Sequence, residues 1–253
     1  MAISGSLDAE RRRASLVLLA QAEGSVRIDQ AAQQFDVSTM TIRRDLMELE
    51  ADGLIRRVRG GAVGAPTPRP FDERQAVRAG AKRTIARKVI SLIPESGAVA
   101  LDASTTISTV AALLGPRRNL TICTNSSETF GLLVPLDGVH PVLTGGEAEL
   151  TTGSLVGPIA QQSARTMFYD IFFTSAGAFN LDDGTSEVSV LEAEIKRAFS
   201  SNSHTTVLCV DSSKLGQRSL ARAIDLSEIS ALVTDLDPTD LRLSQYRDIA
   251  EIL

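Results

Sequence analysis

Short apolar runs alternate with helical patterns over residues 80–253. Such alternation is typical of a mostly parallel sheet with helices on its faces. We therefore expect an α/β protein with a Rossmann-like sheet in this region. The predicted strands span residues 98–101, 120–123, 141–143, 171–174, 205–210 and 231–233. The predicted helices include residues 83–93, 106–114, 128–134 and 188–201.

A glycine- and proline-rich segment precedes this region. Residues 60–70 contain three glycines and three prolines, and proline neither continues a helix nor donates a hydrogen bond to a sheet. We therefore expect a domain boundary here. The predicted division is a small N-terminal domain at residues 7–63, a linker at 64–79 and an α/β domain at 80–253.

Several classes of protein conflict with the composition. No stretch approaches the roughly 20 apolar residues of a membrane span, and the N-terminus lacks the apolar core of a signal peptide, so we expect a cytoplasmic protein without a membrane partner. Cys123 and Cys209 lie within apolar runs, which favours buried thiols. His140 and His204 lack partners at metal-ligand spacing. We therefore predict no metal and no cofactor.

The distribution of charge is compatible with a nucleic-acid partner, although the net charge is −5. Residues 1–63 carry nine basic and nine acidic residues, so the excess of negative charge belongs to the rest of the chain. The arginines of the N-terminal domain are clustered, and clustered cations attract phosphates.

Residues 38–51 have the chemistry of a DNA-recognition helix. Ser38 is a good N-cap, and apolar residues at three- and four-residue spacing predict one inward face. The opposite face supplies hydroxyls and guanidinium groups for phosphates and base edges. The predicted contacts on this helix are Ser38, Thr39, Thr41, Arg43 and Arg44. Helices predicted at residues 7–21 and 28–35 complete a helix-turn-helix, because only two residues separate the second helix from the third.

A short β-hairpin is predicted to follow the recognition helix. Asp52 and Gly53 supply a turn, and residues 54–63 resemble the wing of a winged helix domain. Its arginines are predicted DNA contacts, namely Arg56, Arg57 and Arg59. The alternative is a small helical domain with solvated surface arginines, and for Arg11, Arg12 and Arg13 the two interpretations have equal weight.

Polar residues follow several predicted strands of the α/β domain, where ligands of open α/β sheets bind. Residues 101–106 end a strand and begin a helix, whose free N–H groups favour an anion. Residues 124–126, 143–147 and 211–214 occupy similar positions. The alternatives are N-caps for the hydroxyls, a turn for Gly145 and Gly146, a solvated surface position for Lys214 and a local salt bridge between Glu192 and Lys196.

The residues above resemble the DeoR family of bacterial transcriptional regulators. Residues 37–46, 49–56 and 60–62 resemble its DNA-binding domain, and residues 101–106, 124–126, 144–146, 153–158, 192–198 and 211–214 resemble its sensor, a domain similar to ribose-5-phosphate isomerase. The resemblance implies binding to double-stranded operator DNA, usually repression of carbohydrate genes, and a phosphorylated sugar as effector. The full predicted effector set is Asp102, Ser104, Thr105, Thr106, Asn125, Ser126, Gly145, Gly146, Lys196 and Lys214.

Two positions depart from the family pattern, and two other functions stay open. Ser104 stands where the family usually has glycine, and residues 173–178 contain less glycine than is typical. One alternative is a sugar-phosphate isomerase with a DNA-binding head, although no spacing marks a catalytic pair and we predict no catalytic residue. The other is a metabolite-binding scaffold whose head contacts proteins. For a regulator we expect a homo-oligomer, either a dimer or a tetramer, because one DNA-binding module buries little surface.

Overall fold

The computed structural model describes residues 2–22, 25–51, 54–64, 71–149 and 152–253. The chain divides into two compact units, one comprising Met1–Arg69 and Ala76–Arg78, the other Pro70–Gln75 and Ala79–Leu253. No helix within the described ranges is long and apolar enough to cross a membrane.

The N-terminal unit is a winged helix-turn-helix. Its elements are α1 (Ala2–Ala22), β1 (Ser25–Arg27), α2 (Ile28–Gln34), α3 (Thr39–Ala51), β2 (Ile55–Val58) and β3 (Gly61–Gly64). All three predicted helices are present, and β2 and β3 form the predicted antiparallel hairpin. Strand β1, which was not predicted, pairs with β3 and places Val26 in the core. The predicted turn at residues 52–53 lies outside the described residues.

Close packing explains one glycine of the wing. A Cβ atom on Gly61 would lie 2.0 Å from the backbone oxygen of Val26, so a side chain here would force β1 away from β3. Strand β3 of the wing ends at Gly64, which is the first residue of the predicted linker. The rest of the predicted linker contains α4 (Phe71–Ala76) and the start of α5 (Ala79–Val89).

The C-terminal unit contains the predicted parallel sheet. Its seven strands run in the order β15–β14–β12–β9–β4–β5–β6, and every pairing between neighbours is parallel. These strands are β4 (Ser96–Leu101), β5 (Asn119–Thr124), β6 (Val139–Leu143), β9 (Tyr169–Thr174), β12 (Ser203–Cys209), β14 (Ala231–Val233) and β15 (Glu251–Ile252). All six predicted strands are therefore confirmed, with slightly different ends.

Helices and two smaller sheets accompany the parallel sheet. The helices after α5 are α6 (Thr105–Leu113), α7 (Ser127–Leu133), α8 (Gly157–Thr166) and α9 (Val190–Ser200). One small sheet pairs β7 (Glu147–Glu149) with β8 (Ser154–Val156), and the other joins β10 (Ala178–Asn180), β11 (Gly184–Glu187) and β13 (Ala221–Arg222). No sequence pattern predicted α8 or these short strands.

Two apolar clusters form the core of the C-terminal unit. The larger includes Phe172 and Phe199, whose ring centroids lie 5.2 Å apart, and the other packs α5 and α6 against the sheet. Cys123 and Cys209 are buried free thiols, as predicted. Because the strands are parallel, their carboxyl ends meet at one edge, which carries the predicted effector residues.

Candidate functional site

Helix α3 presents an exposed polar face near its N-terminus. Its inward face is buried through Ile42, Leu46 and Leu49, as the spacing predicted. Four of the five DNA contacts predicted for this helix are exposed, namely Ser38, Thr39, Arg43 and Arg44, and Thr41 is half-buried. The Arg44 side chain is 82% exposed, although its Nε lies 3.4 Å from the Glu48 carboxylate one turn later. This face can therefore approach a phosphate backbone.

Ser38 caps this helix. Its Oγ accepts a hydrogen bond from the Thr41 backbone N–H at 3.1 Å and lies 2.8 Å from Thr41 Oγ1. A capping oxygen satisfies one of the free N–H groups of the first turn. The Ser38 hydroxyl consequently fixes where the recognition helix begins.

Two arginines in the middle of α1 hold this helix against α3. Arg12 contacts the buried carboxylate of Asp45 through Nε at 2.6 Å and Nη2 at 3.3 Å, and Arg13 pairs with Glu48. The hydrogen bond to Asp45 raises the pKa of Arg12, so the guanidinium group stays charged in this pair. Two of the three arginines whose role was open therefore have structural partners.

The wing arginines differ in their contacts. Arg57 is bound to Glu50 of α3, through its backbone N–H at 2.8 Å and its Nε at 3.2 Å. Arg59 is exposed in the turn between β2 and β3. The side chain of Arg56 lies outside the described part of the structure. Glu50 thus fixes the wing relative to the recognition helix.

At the edge of the parallel sheet, Asp102 follows β4 and is 1% exposed. Its carboxylate accepts hydrogen bonds from Thr174 Oγ1 and from the backbone N–H groups of Ser175 and Ser104, at 2.8 to 2.9 Å. Burial opposes ionisation, but the charge of Lys196 and these hydrogen bonds lower the pKa of Asp102. Asp102 is therefore an ionised anchor that joins the ends of β4 and β9.

Lys196 of α9 is the partner of Asp102. Its Nζ lies 3.0 Å from Asp102 Oδ2, 2.5 Å from Glu187 Oε1 and 2.7 Å from the Ser175 carbonyl oxygen. Burial alone would lower the pKa of Lys196, but the surrounding carboxylates raise it. Burial raises the pKa of Glu187. Glu192, the partner that a four-residue spacing suggested, instead accepts a hydrogen bond from Ser154 at 2.9 Å.

Two predicted effector serines are helix N-caps. Ser104 Oγ accepts from the Ile107 N–H at the start of α6, and Ser126 Oγ accepts from the Thr129 N–H at the start of α7. The capping alternative is thus what these hydroxyls do in the described structure. Thr105 and Thr106 are buried in the first turn of α6.

Asn125 follows β5 and is 2% exposed. Its Nδ2 donates to the Leu155 carbonyl oxygen at 3.1 Å, whereas its Oδ1 receives no hydrogen bond from any described residue. A buried acceptor without a donor costs free energy. A ligand hydroxyl or a water molecule that donates to this oxygen would remove that cost.

The paired glycines after β6 have different roles. Both have positive φ angles, 66° at Gly145 and 115° at Gly146. A Cβ atom on Gly146 would lie 2.5 Å from the Val156 backbone oxygen, so this glycine allows close packing at the start of α8. A Cβ atom on Gly145 would meet nothing within 4 Å. Only Gly145 therefore leaves open space beside its backbone.

The structure also contains a buried cation, Lys82, that no sequence pattern indicated. Lys82 of α5 is 6% exposed, and its Nζ donates to the Arg74 carbonyl oxygen. The pKa of Lys82 is lowered to about 8, mainly by burial; the Asp211 charge raises it, and the Lys214 and Arg74 charges lower it. Lys82 is therefore within electrostatic range of Lys214, a predicted effector residue. Its position on a helix before the first strand excluded it from a search confined to residues after strands.

The described residues hold no group of three or more His, Cys, Asp or Glu side chains placed to bind a metal ion. The arrangement instead combines cations, helix N-termini and a buried amide oxygen along one sheet edge. Such groups can bind an anion and hydroxyl groups.

Two family models match the chain. A DeoR-like helix-turn-helix domain matches residues 12–66, and a DeoR C terminal sensor domain matches residues 77–236. The two matches cover both structural units.

Curated relatives align along most of their length. The transcriptional repressor AccR of Agrobacterium fabrum is 34% identical, with 88% of each chain covered. The L-fucose operon activator of Haemophilus influenzae is 32% identical over 91% of this chain and 93% of its own. The glycerol-3-phosphate regulon repressor of Escherichia coli K12 is 30% identical over 90% of this chain and 91% of its own.

Similarity to solved structures is more distant. Ribose 5 phosphate isomerase A from Neisseria gonorrhoeae has a TM-score of 0.38 and 16% identity, covering 57% of this chain and 55% of that chain. The translation initiation factor eIF-2B of Pyrococcus horikoshii has a TM-score of 0.44 and 11% identity over 96% and 92%. Neither similarity bears on activity. The family models and the curated relatives show that this chain belongs to the DeoR family of DNA-binding transcriptional regulators.

Proposed function

We propose that this regulator represses genes of carbohydrate uptake or catabolism, and that a phosphorylated sugar bound in the C-terminal domain changes its affinity for operator DNA. The main support for the proposal is that one protein has both features. Helix α3 has exposed arginines, and buried polar residues follow the strands of the parallel sheet in the second domain, where an anion can bind. Relatives named for the glycerol-3-phosphate regulon and the aga operon are repressors, which supports the regulatory sign.

The proposed operator contacts lie on the recognition helix and on the wing. Thr39, Arg43 and Arg44 face the major groove from the exposed side of α3, where guanidinium groups can bind guanine through two hydrogen bonds. Ser38 and Thr41 position the helix end near a phosphate. Arg56, Arg57 and Arg59 of the wing bind the DNA backbone or the minor groove.

The phosphate of the effector binds near the N-terminus of α6, where Thr105 and Thr106 start the helix. The dipole and free N–H groups of this helix end favour an anion, and Lys214 adds a cation. Gly145 leaves room for the ligand beside the backbone. Asn125 Oδ1 accepts a hydrogen bond from a sugar hydroxyl, which satisfies this buried acceptor.

The remaining predicted residues support these contacts. Asp102 and Lys196 hold the ends of β4 and β9 together, while Ser104 and Ser126 fix the starts of α6 and α7. The carboxylate of Asp102 already accepts several hydrogen bonds and has a lowered pKa, which makes it a weak base. We therefore propose sensing without catalysis.

The regulator is proposed to act in the cytoplasm as a homo-oligomer. One winged helix module buries little DNA surface, and a symmetric oligomer can occupy repeated half-sites. Light scattering coupled to gel filtration tests this point. A mass of one subunit that persists at the concentrations used for operator binding would contradict it.

Fluorescence anisotropy tests the proposed function. Labelled DNA from the intergenic region upstream of the gene is titrated with protein at two salt concentrations, with and without ribose 5-phosphate, glucose 6-phosphate or glycerol 3-phosphate. We expect specific, salt-sensitive binding that a phosphorylated compound alters and its unphosphorylated counterpart does not. Specific binding that no phosphorylated compound alters would contradict the effector class, and absence of specific binding would contradict operator recognition.

A Lys214→Ala variant provides the matched test of the ligand site. Lys214 lies in the C-terminal domain, so the change should leave operator affinity without ligand unaltered and weaken the response to the phosphorylated compound. Arg165→Ala, an exposed position on α8, is the charge-matched control and should retain the full response.

A further inference from the structure

Helix α4 is attached to the C-terminal unit through Arg74. The Arg74 Nη2 donates to the Thr152 carbonyl oxygen at 2.8 Å, and the guanidinium carbon lies 5.7 Å from the centre of the Phe71 ring. The backbone oxygen of the same residue accepts a hydrogen bond from Lys82. The side chain and the backbone of Arg74 therefore both bind residues of the C-terminal unit, namely Thr152 and Lys82.

Lys82 lies within electrostatic range of three other charged residues. The Asp211 charge favours its ammonium form, whereas the Lys214 and Arg74 charges disfavour it. Within the described ranges no carboxylate forms a salt bridge with the deeply buried Lys82 ammonium. A buried cation normally has an anionic partner, because desolvation costs several kcal/mol. With one carbonyl acceptor and no salt bridge within those ranges, the Lys82 ammonium keeps donors available for an anionic ligand.

The same attachment is connected to the predicted effector residues. Thr152 Oγ1 lies 2.7 Å from Ser154 Oγ, which donates to Glu192 at 2.9 Å. The next residue, Leu155, exchanges hydrogen bonds with Asn125, receiving one from the side chain and donating one to the backbone. The segment that holds Arg74 thus also holds Asn125.

We propose that Lys82 and Arg74 extend the ligand site into an anion-binding subsite for a phosphate monoester, and that the bound anion tightens α4 onto the C-terminal domain. An ammonium group has three donors, so Lys82 can retain the Arg74 carbonyl and still bind the anion. The two negative charges of the ligand add to the Asp211 charge in favouring the ammonium form of Lys82. The inference rests on the proposed function and adds to it the element that follows the wing in sequence.

This placement provides a route for regulation. In the sequence, α4 is separated from the last wing strand, β3, by residues 65–70 alone. A ligand that binds one arrangement of α4 more tightly than another shifts the protein toward that arrangement. If the two arrangements also differ in affinity for DNA, the ligand site and the DNA site are coupled.

Hydrogen–deuterium exchange of the full-length protein tests the inference, with inorganic phosphate as the probe and chloride at matched ionic strength as the reference. We expect phosphate to slow exchange of the α4 amides by about fivefold or more, the lower end of typical coupling between sites. Lys82→Met should abolish the effect, and Arg87→Ala, an exposed change on the same helix α5, should preserve it. Unchanged or faster exchange of α4 in phosphate would overturn the proposal, as would protection that persists in Lys82→Met.

A second variant separates the two parts of the inference. In Arg74→Ala the first turn of α6 should still gain protection from phosphate, whereas α4 should no longer respond, and an unaltered α4 response would contradict the proposal. If phosphorylated sugars alter operator affinity while phosphate leaves α4 unprotected, only this inference fails. If phosphate protects α4 but no phosphorylated sugar alters operator affinity, the proposed effector class fails instead.

Discussion

The two domains present cations in opposite environments. Arg43 and Arg44 of α3 are exposed, with 82% of the Arg44 side chain accessible, whereas Lys82 and Lys196 of the C-terminal domain are each 6% exposed. An exposed cation interacts with a polyanion mainly through long-range, salt-screened attraction. A buried cation needs a specific partner, because burial penalises its charge. One surface is therefore suited to DNA and the other to a small anion.

The two buried lysines also differ from each other, because their pKa values shift in opposite directions. Lys196 is surrounded by carboxylates that raise its pKa, whereas burial and neighbouring cations lower the pKa of Lys82 to about 8. Lys196 consequently stabilises the fold, whereas Lys82 forms no salt bridge with any described residue and is the cation that we propose binds the ligand.

The largest effect that we predict concerns the buried ion pairs. Lys196→Ala should lower the free energy of unfolding of the C-terminal domain by ~3–5 kcal/mol, because Asp102 and Glu187 would lose their counter-charge. Denaturant unfolding measures the change. Arg165→Ala should stay within about 0.5 kcal/mol of the parent protein. A loss below about 1 kcal/mol for Lys196→Ala would mean that this lysine has no such structural role.

The exposed arginines should affect DNA binding instead of stability. Arg43→Ala or Arg44→Ala should each weaken operator binding by about 1–3 kcal/mol, the usual contribution of a bidentate base contact. The free energy of unfolding should stay nearly constant, since both side chains are exposed. Anisotropy titrations and denaturant unfolding on the same preparations test both statements. Full operator affinity in both variants would place the DNA interface elsewhere.

The pH dependence should distinguish Lys82 from the other cations. Only the ammonium form attracts an anion, so affinity for a phosphate monoester should fall as pH rises above about 8, by at most about tenfold per unit. The charges that surround Lys82 are those of Asp211, Lys214 and Arg74. Calorimetric titration between neutral and alkaline pH measures this fall, and Lys82→Met should flatten it. A profile that is equally steep without Lys82 would assign the titration to another group.

The smallest effect should separate two wing arginines. Arg59→Ala should reduce the salt dependence of DNA binding by about one unit of slope, as expected for one lost phosphate contact. Arg57→Ala should change it less, because Glu50 already pairs with that guanidinium group. Anisotropy at several salt concentrations gives both slopes. A larger change for Arg57 than for Arg59 would contradict the assignment.

Sequence patterns predicted the N-terminal domain and the parallel sheet well, because periodic burial is local information. The spacing of Ile42, Leu46 and Leu49 gave the correct buried face of α3, and each predicted strand is present. The short strands β7, β8, β10, β11 and β13 escaped prediction, since they contain two to four residues and are stabilised by distant partners.

The contacts of the candidate site were harder to predict. A four-residue spacing suggested a Glu192–Lys196 pair, but the tertiary fold brings Asp102 and Glu187 to Lys196 instead. Lys82 gave no local signal, because a lysine on an amphipathic helix is usually solvated. Its environment includes the Arg74 carbonyl and the Asp211 charge, which no pattern within α5 reveals.

A linkage measurement tests whether ligand binding in the C-terminal domain is coupled to operator binding by the N-terminal domain. The affinity of the purified protein for the active phosphorylated compound is measured by calorimetry with and without saturating operator DNA. Thermodynamic reciprocity requires operator DNA to change the ligand affinity by the same factor as the ligand changes operator affinity. We predict matching factors of about 5–150, the usual range of such coupling. Equal ligand affinity with and without operator DNA would show that the C-terminal domain does not regulate DNA binding.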